Sequence, residues 1–171
     1  MSLACKPTDD EVRAFIGPQA ERYLRKWRWY IENGSGNAGT LWPPFLFNIA
    51  WFFYRRMYLE ALVPIVLVLG TGLVLGTGVG LLESILGKQF TIPEPVEVGF
   101  NFAWAFATSW LGSFLYFRKL RRSVAHARTL GPDPEVALAY LRRAGGTSRV
   151  GAALGFLLIV LSLLLNYGVA G

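Results

Sequence analysis

The sequence contains almost no residues that carry redox or metal chemistry. Its 171 residues include one cysteine, Cys5, and one histidine, His126. A single cysteine excludes an intrachain disulfide framework and a metal site built from cysteines alone. A zinc centre needs three or four nitrogen, sulfur or oxygen ligands at close spacing, and these two residues do not supply them. His126 lies among arginines outside every apolar run, so we predict neither a haem nor a chlorophyll-type pigment held by histidine within a membrane segment.

Nucleotide-binding motifs are missing as well. The stretch GLLESILGKQ, residues 80–89, lacks the glycine five positions before Gly87 and the Ser or Thr that follows the lysine in a P-loop. The stretch GTGLVLGTGVG, residues 70–80, lacks the third glycine and the preceding strand of a dinucleotide-binding fingerprint. The sequence shows no catalytic constellation, so we predict that the protein is not an enzyme and holds no cofactor.

Charge is scarce and unevenly spread. Charged residues make up 16% of the chain and hydrophobic residues 53%, whereas about a quarter of the residues in soluble domains are charged. Three runs of at least 18 residues carry no charge: 61–82, 100–117 and 150–170. A helix of about 20 apolar residues crosses the hydrocarbon core of a bilayer. We predict three transmembrane helices, because the rest of so short a chain is too small to cover these runs.

The basic residues predict the orientation. Of the 17 lysines and arginines, eight lie in residues 1–60, eight in residues 118–149, and one, Lys88, in residues 83–99. Loops rich in lysine and arginine stay on the cytoplasmic side. With three spans in a bacterial inner membrane, the N-terminus is predicted to be cytoplasmic and the C-terminus, Gly171, periplasmic.

The aromatic run LWPPFLFNIAWFFY, residues 41–54, is too short for an ordinary span. As a helix it would reach about 21 Å, and Arg55 and Arg56 follow it directly. One interpretation is a re-entrant or interfacial helix that returns both arginines to the lipid phosphates, since an arginine at mid-membrane costs roughly 2.5–3.5 kcal/mol. The other is a fourth span, which would place the six basic residues before it outside and weaken the charge asymmetry.

A short motif recurs in two of the aromatic segments. FNIAWFF, residues 47–53, and FNFAWAF, residues 100–106, share five identical positions. If the two copies are related elements, Asn48 and Asn101 would form a hydrogen bond between helices. Five identities without a fixed period are equally compatible with chance similarity between aromatic segments.

Glycines recur every four residues on one face of the first predicted span. These are Gly72, Gly76 and Gly80. A row of small residues at this spacing lets a second helix approach closely. We predict a helix-packing face for this chain or for a partner, while the alternative is a helix whose glycines are simply tolerated in lipid.

The remaining segments are predicted to be cytoplasmic helices at the membrane surface. Thr8 and Glu11 have capping-box spacing, and Asp133 before Pro134 marks the start of another helix. Residues 20–31 place an apolar face beside several cations. Large rings among the cations favour anionic phospholipid over nucleic acid as the partner. The predicted headgroup contacts are Arg22, Arg25, Lys26, Trp27, Arg55, Arg56, Arg118, Lys119, Arg121 and Arg122.

The predicted fold class is therefore an all-α integral membrane protein. It combines three transmembrane helices with a short re-entrant or interfacial aromatic helix and amphipathic cytoplasmic helices. Residues 1–40 form the cytoplasmic N-terminal segment and residues 41–171 the membrane domain. The domain is divided into 41–58, the span 61–82, the span 100–117 continuing to 128, the cytoplasmic helix 134–144, and the span 150–170.

Two motifs resemble a known family. FIGPQAERYLRKW, residues 15–27, is followed by an aromatic stretch with Trp42 and Trp51 that closes on YRRMY, residues 54–58. This pattern resembles the small bacterial inner-membrane proteins described as domain of unknown function 2628, over roughly residues 15–125. Arg56 stands where lysine is usual in that family, and PPFLFNIA departs from its Asn-Trp-Ala-Ala-rich start. The resemblance implies no activity and assigns no functional residue.

Two functions fit these features. The first is a non-catalytic accessory or organising subunit that packs against other subunits of a larger bacterial membrane complex, such as a respiratory or photosynthetic assembly. The second is a small transporter or channel component, although the three apolar runs contain no ionisable residue of the kind that marks a transport path. The polar residues available for such a path are Asn48, Asn101, Thr108, Ser109 and Ser113.

Overall fold

The chain is all-helical over the residues that its structure, a computed structural model, describes, which are 6–33, 39–89 and 91–169. Cys5 and Gly171 lie outside these ranges. The described helices are α1 (Asp9–Ile16), α2 (Ala20–Glu32), α3 (Trp42–Tyr54), α4 (Leu62–Leu86), α5 (Glu94–Ala127), α6 (Pro134–Ala144) and α7 (Arg149–Val169).

Side chains fix the start of two helices where the sequence predicts caps. The Thr8 hydroxyl accepts a hydrogen bond from the Glu11 amide over 3.3 Å, and the Glu11 carboxylate accepts one from the Thr8 amide over 2.7 Å. Asp133 accepts from the amide of Glu135 over 2.9 Å, with Pro134 in the first turn of α6. Each cap satisfies amide groups that the helix itself leaves without partners.

An aromatic core lies between α1, α2, α6 and the second half of α5, and the end of α3 contributes to it. The centroid of the Trp27 ring lies 5.6 Å from the ring centroid of Tyr116 and 5.2 Å from that of Phe117. Burying rings of this size supplies most of the stabilisation in a small core. The core side chains include Val12, Phe15, Ile16, Tyr23, Leu24, Trp27, Trp51, Phe52, Tyr116, Phe117, Leu120, Val124 and Leu141.

The apolar face of α2 is therefore covered by protein. Ala20, Tyr23, Leu24 and Trp27 are all buried in the core, and Ile31 packs against its edge. The prediction that this face lies in the lipid headgroup layer is wrong. The physical reason is that an amphipathic pattern is the same whether the apolar stripe meets lipid or protein.

Helix α3 packs between α5 and α7. Near the start of α3, the hydroxyl of Ser109 in α5 donates to the carbonyl oxygen of Leu41 over 2.5 Å. Just past the end of α3, the amine of Lys119 in α5 donates to the carbonyl oxygen of Arg56 over 2.7 Å. These contacts mean that α3 and α5 run in the same direction. At the start of α7, the Ser148 amide donates to the carbonyl oxygen of Tyr54 over 2.8 Å.

Glycines allow both neighbours to approach α3 closely. A Cβ added at Gly155 would lie 2.6 Å from the Cα of Ala50, and one at Gly151 would lie 2.9 Å from the carbonyl carbon of Phe53. In α5, a Cβ at Gly112 would lie 3.0 Å from the Cβ of Pro44. Since Gly155 meets Ala50 and Gly151 meets Phe53, α7 runs antiparallel to α3.

Two segments of the described chain are long and apolar enough to cross a membrane. The first is α4, with a mean hydropathy of 2.3, in which Pro64 is the one buried residue. The second is Pro134–Leu161, with a mean hydropathy of 1.6. It includes α6 and the first part of α7, and its longest uncharged stretch is in α7.

The predicted span at 100–117 does not meet the same measure. These residues form the middle of α5, a helix of 34 residues that begins with Glu94 and Glu97 and has a cluster of cations after Phe117. Asn, Thr, Ser and Trp side chains within the run lower its hydropathy. Among the described residues, two helices are thus long and apolar enough to cross a membrane, instead of the predicted three.

Candidate functional site: a buried arginine and the adjoining cleft

The turn that ends α3 points two adjacent arginines in opposite directions. The amide of Arg55 still donates to the carbonyl oxygen of Trp51 over 3.0 Å, and the amide of Met57 donates to that of Phe52 over 2.8 Å. Between them Arg56 adopts a φ of 55°, a left-handed conformation that is uncommon outside glycine. As a result Arg56 is exposed, whereas the side chain of Arg55 enters the core and is only 2% exposed.

Arg55 joins α3 to the two N-terminal helices. Its Nη1 donates to the carbonyl oxygen of Ile16 over 3.3 Å, and its Nη2 donates to the hydroxyl oxygen of Tyr23 over 3.0 Å. Ile16 is the last residue of α1, so its carbonyl has no partner within that helix. A cation at this position also interacts favourably with the negative end of the helix dipole.

Three tyrosine rings surround the guanidinium. The Arg55 Cζ lies 5.2 Å from the ring centroid of Tyr23, 5.6 Å from that of Tyr54 and 5.2 Å from that of Tyr116. Cation–π contacts contribute about 0.5–1 kcal/mol at exposed sites and about 2 kcal/mol when they are desolvated. The rings therefore offset part of the cost of burying a charge.

The charge itself is not neutralised within the described part of the chain. No carboxylate there forms an ion pair with Arg55, and its Nε is buried without a hydrogen-bond partner. A buried charge without a counter-charge is costly and therefore uncommon. This combination singles out Arg55 as a candidate functional residue.

A cleft of about 470 Å³ adjoins Arg55, between α2, α3 and α7. At one end it is lined by polar side chains that include Gln19, Arg22 and Arg55. Along α3 the lining changes from Arg55 and Tyr54 through Trp51 to Phe47 and Pro43. The volume lies in the range of small-molecule sites, and the mix of a few polar groups with a largely apolar wall is typical of them.

Comparison with known sequences assigns a family. The sequence model described as Protein of unknown function (DUF2628) matches residues 18–122 of the 171. The chain belongs to this family. No curated protein and no solved structure matches this chain.

The DUF2628 match covers most of the arginine site. It includes α2, α3, α4 and nearly all of α5, and therefore Tyr23, Tyr54, Arg55 and Tyr116. Helices α1, α6 and α7 lie outside the matched residues. The wall that α7 supplies to the cleft therefore lies outside the residues that the family model matches.

The predicted headgroup residues of the DUF2628 chain fall into two groups. Trp27 and Arg55 lie in the core, with 0% and 2% of their surface exposed, so their predicted contact with lipid headgroups is wrong. Trp27 is buried because its ring packs against Tyr116 and Phe117 of α5. Arg55 is buried because its guanidinium lies among the rings of Tyr23, Tyr54 and Tyr116. The others remain at the surface, with Lys119 and Arg121 half-buried and Arg22, Arg25, Lys26, Arg56, Arg118 and Arg122 exposed.

Of the predicted packing residues of the DUF2628 chain, the three glycines of α4 make no close contact with another described segment. A Cβ at Gly72, Gly76 or Gly80 would meet nothing within 4 Å, so this row packs against no described residue. Asn101 is exposed on α5, and the side chain of Asn48 lies outside the described part, so the predicted bond between them is not tested.

Sequence reasoning missed the glycines that pack and the arginine that is buried. Gly151 and Gly155 have the same four-residue spacing as the α4 row, and that spacing in the last apolar run was a usable signal. Arg55 gave no such signal, because nothing in the sequence distinguishes it from its neighbour Arg56.

An ion pair holds α1 against the end of α5. Arg128 donates to both carboxylate oxygens of Glu11 over 2.8 Å. Burial would raise the pKa of Glu11, but hydrogen bonds from Arg128 and from the Thr8 amide outweigh it, and the pKa is lowered. The described residues contain no group of three or more His, Cys, Asp or Glu side chains that can hold a metal ion.

Proposed function

We propose that this DUF2628 protein is a membrane-inserted, non-catalytic subunit that packs against other subunits of a larger membrane complex and organises them. The observation that carries the proposal is the open glycine row of α4. A Cβ added at Gly72, Gly76 or Gly80 would meet no described neighbour within 4 Å, and α4 is apolar enough to cross a bilayer. A partner helix would be able to approach the backbone of α4 along this row.

The directions of the helices support insertion through three segments. α3 and α5 run in parallel and α7 runs antiparallel to them. The first half of α5 and the last half of α7 therefore extend beyond the start of α3 in the same direction. The exposed side chains there are large and apolar, among them Phe100, Phe102, Phe106, Leu161 and Leu164. Lipid hydrocarbon would cover such a surface, so we include α5 as a crossing helix despite its lower hydropathy.

The distribution of charge supports the orientation. The cations of α1, α2 and α6 and of the second half of α5 surround the aromatic core, at the opposite end from the connection between α4 and α5, in which Lys88 is the one basic residue. The core would then lie in the cytoplasm of a bacterial cell, and the connection would lie in the periplasm. Exposed cations such as Arg118 and Arg122 would meet anionic phospholipid.

A specific observation favours this function over transport. The Thr108 hydroxyl donates to the carbonyl oxygens of Trp104 and Ala105 in its own helix, and that of Ser109 donates to Leu41. Both hydroxyls are therefore occupied at the α3–α5 contact. The alternative, a transporter or channel component, would need polar groups that are free to line a path.

The test is a gentle-detergent native gel of source membranes, with the chain detected by antibody and its band analysed by mass spectrometry. The variant is Gly76→Leu, and the matched control is Gly78→Leu. Gly78 also has open space around it but lies about 200° away from Gly76 around the helix. We expect the wild type and Gly78→Leu in a large band with defined neighbours, and Gly76→Leu released from it. Migration of the wild type on its own would refute the subunit role, and retention of Gly76→Leu would refute the glycine face.

A further inference from the structure

The cleft beside Arg55 changes in polarity along its length. Its α3 wall follows one face of the helix through Pro43, Phe47, Trp51 and Arg55, at four-residue spacing. Twelve residues of helix correspond to about 18 Å. The cleft therefore runs along α3 from cationic side chains at one end to aromatic rings at the other.

The polar end has a surplus of positive charge. Arg22 and Arg55 both line it, and no acidic side chain of the described residues does. Arg55 is nine-tenths buried or more, and its Nε has no partner. An anion placed here would supply the counter-charge that the described protein lacks, and a guanidinium binds carboxylate and phosphate oxygens with strong, charge-assisted hydrogen bonds.

The apolar end of the cleft opens onto the exposed surface of the molecule. Phe47 and Phe156 line the cleft and are 59% and 64% exposed. Phe156 directly follows Gly155, which packs against Ala50 in the middle of α3. A long hydrocarbon chain would be able to enter between these rings and lie along α3, since it has no polar group that needs a partner.

We propose that this cleft binds an anionic amphiphile, a phosphate or carboxylate group attached to an acyl chain. The anionic group lies beside Arg22 and Arg55, and the acyl chain follows α3 past Trp51 to Phe47 and Phe156. Such a ligand needs both a cationic end and an apolar path in the same cleft. Binding here is therefore more specific than the general attraction of surface cations to lipid headgroups. It does not depend on the role in a complex proposed above.

The test is native mass spectrometry of the full-length, delipidated protein in non-ionic detergent, with three probes. The probes are phosphatidylglycerol, the zwitterionic phosphatidylcholine, and oleate. We expect one tightly retained phosphatidylglycerol per chain and retention of phosphatidylcholine weaker by about tenfold, because the trimethylammonium group of phosphatidylcholine adds a third cation beside Arg22 and Arg55. Oleate distinguishes a free fatty acid from a phospholipid as the ligand. Retention of oleate equal to that of phosphatidylglycerol indicates a free fatty acid, and weaker retention of oleate indicates a phospholipid.

Two pairs of variants test the position of the ligand without removing Arg55 from the core. Arg22→Gln removes the exposed cation of the cleft, and its control Arg25→Gln removes an exposed cation of α2 outside it. Ala152→Phe fills the cleft from α7, and its control Ala153→Phe adds the same ring at the exposed neighbouring position. We expect about tenfold weaker retention for Arg22→Gln and Ala152→Phe and no change for the controls.

The proposal is overturned by any of three results. The first is the absence of a one-to-one adduct with both phosphatidylglycerol and oleate. The second is equal retention of phosphatidylglycerol and phosphatidylcholine, which would indicate lipid that surrounds the helices without a specific site. The third is retention by Arg22→Gln and Ala152→Phe equal to that of their controls. None of these results bears on the native gel, so the two proposals fail independently.

Discussion

The Nη2 of Arg55 donates to the hydroxyl oxygen of Tyr23 over 3.0 Å, across 32 positions of sequence. Together with the bond from Nη1 to the carbonyl oxygen of Ile16, it ties the end of α3 to α1 and α2. Tyr23 and Arg55 lie within the residues matched by the family, whereas Ile16 lies just before them. A single buried cation thus connects the family segment to the helix that precedes it.

Removing this cation is expected to destabilise the protein strongly. Arg55→Ala would leave the Tyr23 hydroxyl and the Ile16 carbonyl without their partner and would open a cavity between tyrosine rings. The expected loss in the free energy of unfolding is about 3 kcal/mol. It is measured by thermal or denaturant unfolding of the purified protein in detergent, followed by tryptophan fluorescence.

The adjacent arginine provides the control. Arg56→Ala removes the same side chain from an exposed position, and its backbone carbonyl still accepts the Lys119 hydrogen bond. We expect Arg56→Ala to unfold like the wild type. Equal stability of the two variants would contradict the structural role of Arg55.

The ion pair between Glu11 and Arg128 predicts a dependence of stability on pH. The pKa of Glu11 is lower in the folded protein than in the unfolded chain, where glutamate titrates near 4.3. Its stabilisation is therefore fully present above the unfolded pKa and is lost as the pH falls through the folded pKa. We expect Glu11→Gln to be less stable than the wild type at neutral pH, and the difference to shrink below about pH 4.3.

The measurement is the melting temperature of both proteins between neutral pH and about pH 3, where a carboxyl group becomes protonated. Glu32→Gln is the control, since Glu32 is exposed and its carboxylate makes no described ion pair. A constant difference between Glu11→Gln and the wild type over the whole range would show that the charge of Glu11 contributes nothing.

The glycines of α7 and those of α4 are expected to respond differently to substitution. A Cβ at Gly155 would press on the Cα of Ala50 at 2.6 Å, whereas one at Gly76 would meet open space. Gly155→Ala should therefore destabilise the isolated protein by about 1–3 kcal/mol, while Gly76→Ala should be neutral or slightly stabilising, because alanine favours helix. Unfolding in detergent measures both. A neutral Gly155→Ala would mean that α7 does not pack closely on α3.

The sequence predicted the helices better than their surroundings. Caps such as Thr8 with Glu11 depend on a few neighbouring residues, and they were found where predicted. The apolar face of α2 was recognised correctly but assigned to lipid, because its pattern carries no information about what covers it. Arg55 and Arg56 look alike in sequence, and only the left-handed turn at Arg56 decides which of them is buried.

The two glycine rows illustrate the same limit. Four-residue spacing occurs in α4 and in α7, and it indicates that close approach is possible. Of these two rows, it is the α7 row, at Gly151 and Gly155, that approaches another described helix. The repeated FNxAWxF motif is a weaker case, since Asn101 is exposed and Asn48 is not described.

The number of membrane crossings is the last prediction. We expect α4, α5 and α7 each to cross, so that position 28 and position 142 lie in the cytoplasm and position 88 in the periplasm. The test uses Cys5→Ser with a single new cysteine, Arg28→Cys, Lys88→Cys or Arg142→Cys, and a maleimide that does not cross membranes. In intact spheroplasts only Lys88→Cys should be labelled, and all three should react once the membrane is permeabilised.

Each alternative gives a different pattern of labelling. If α5 does not cross, Arg142→Cys lies on the same side as Lys88→Cys and both are labelled in intact spheroplasts. If residues 41–54 form a fourth span, Arg28→Cys is labelled together with Lys88→Cys. Because Arg28 and Arg142 are both exposed, protection of either one reports the side of the membrane instead of burial in the core. Labelling of Arg142→Cys would leave α4 and α7 as the crossing helices, in agreement with hydropathy and against the three-helix arrangement.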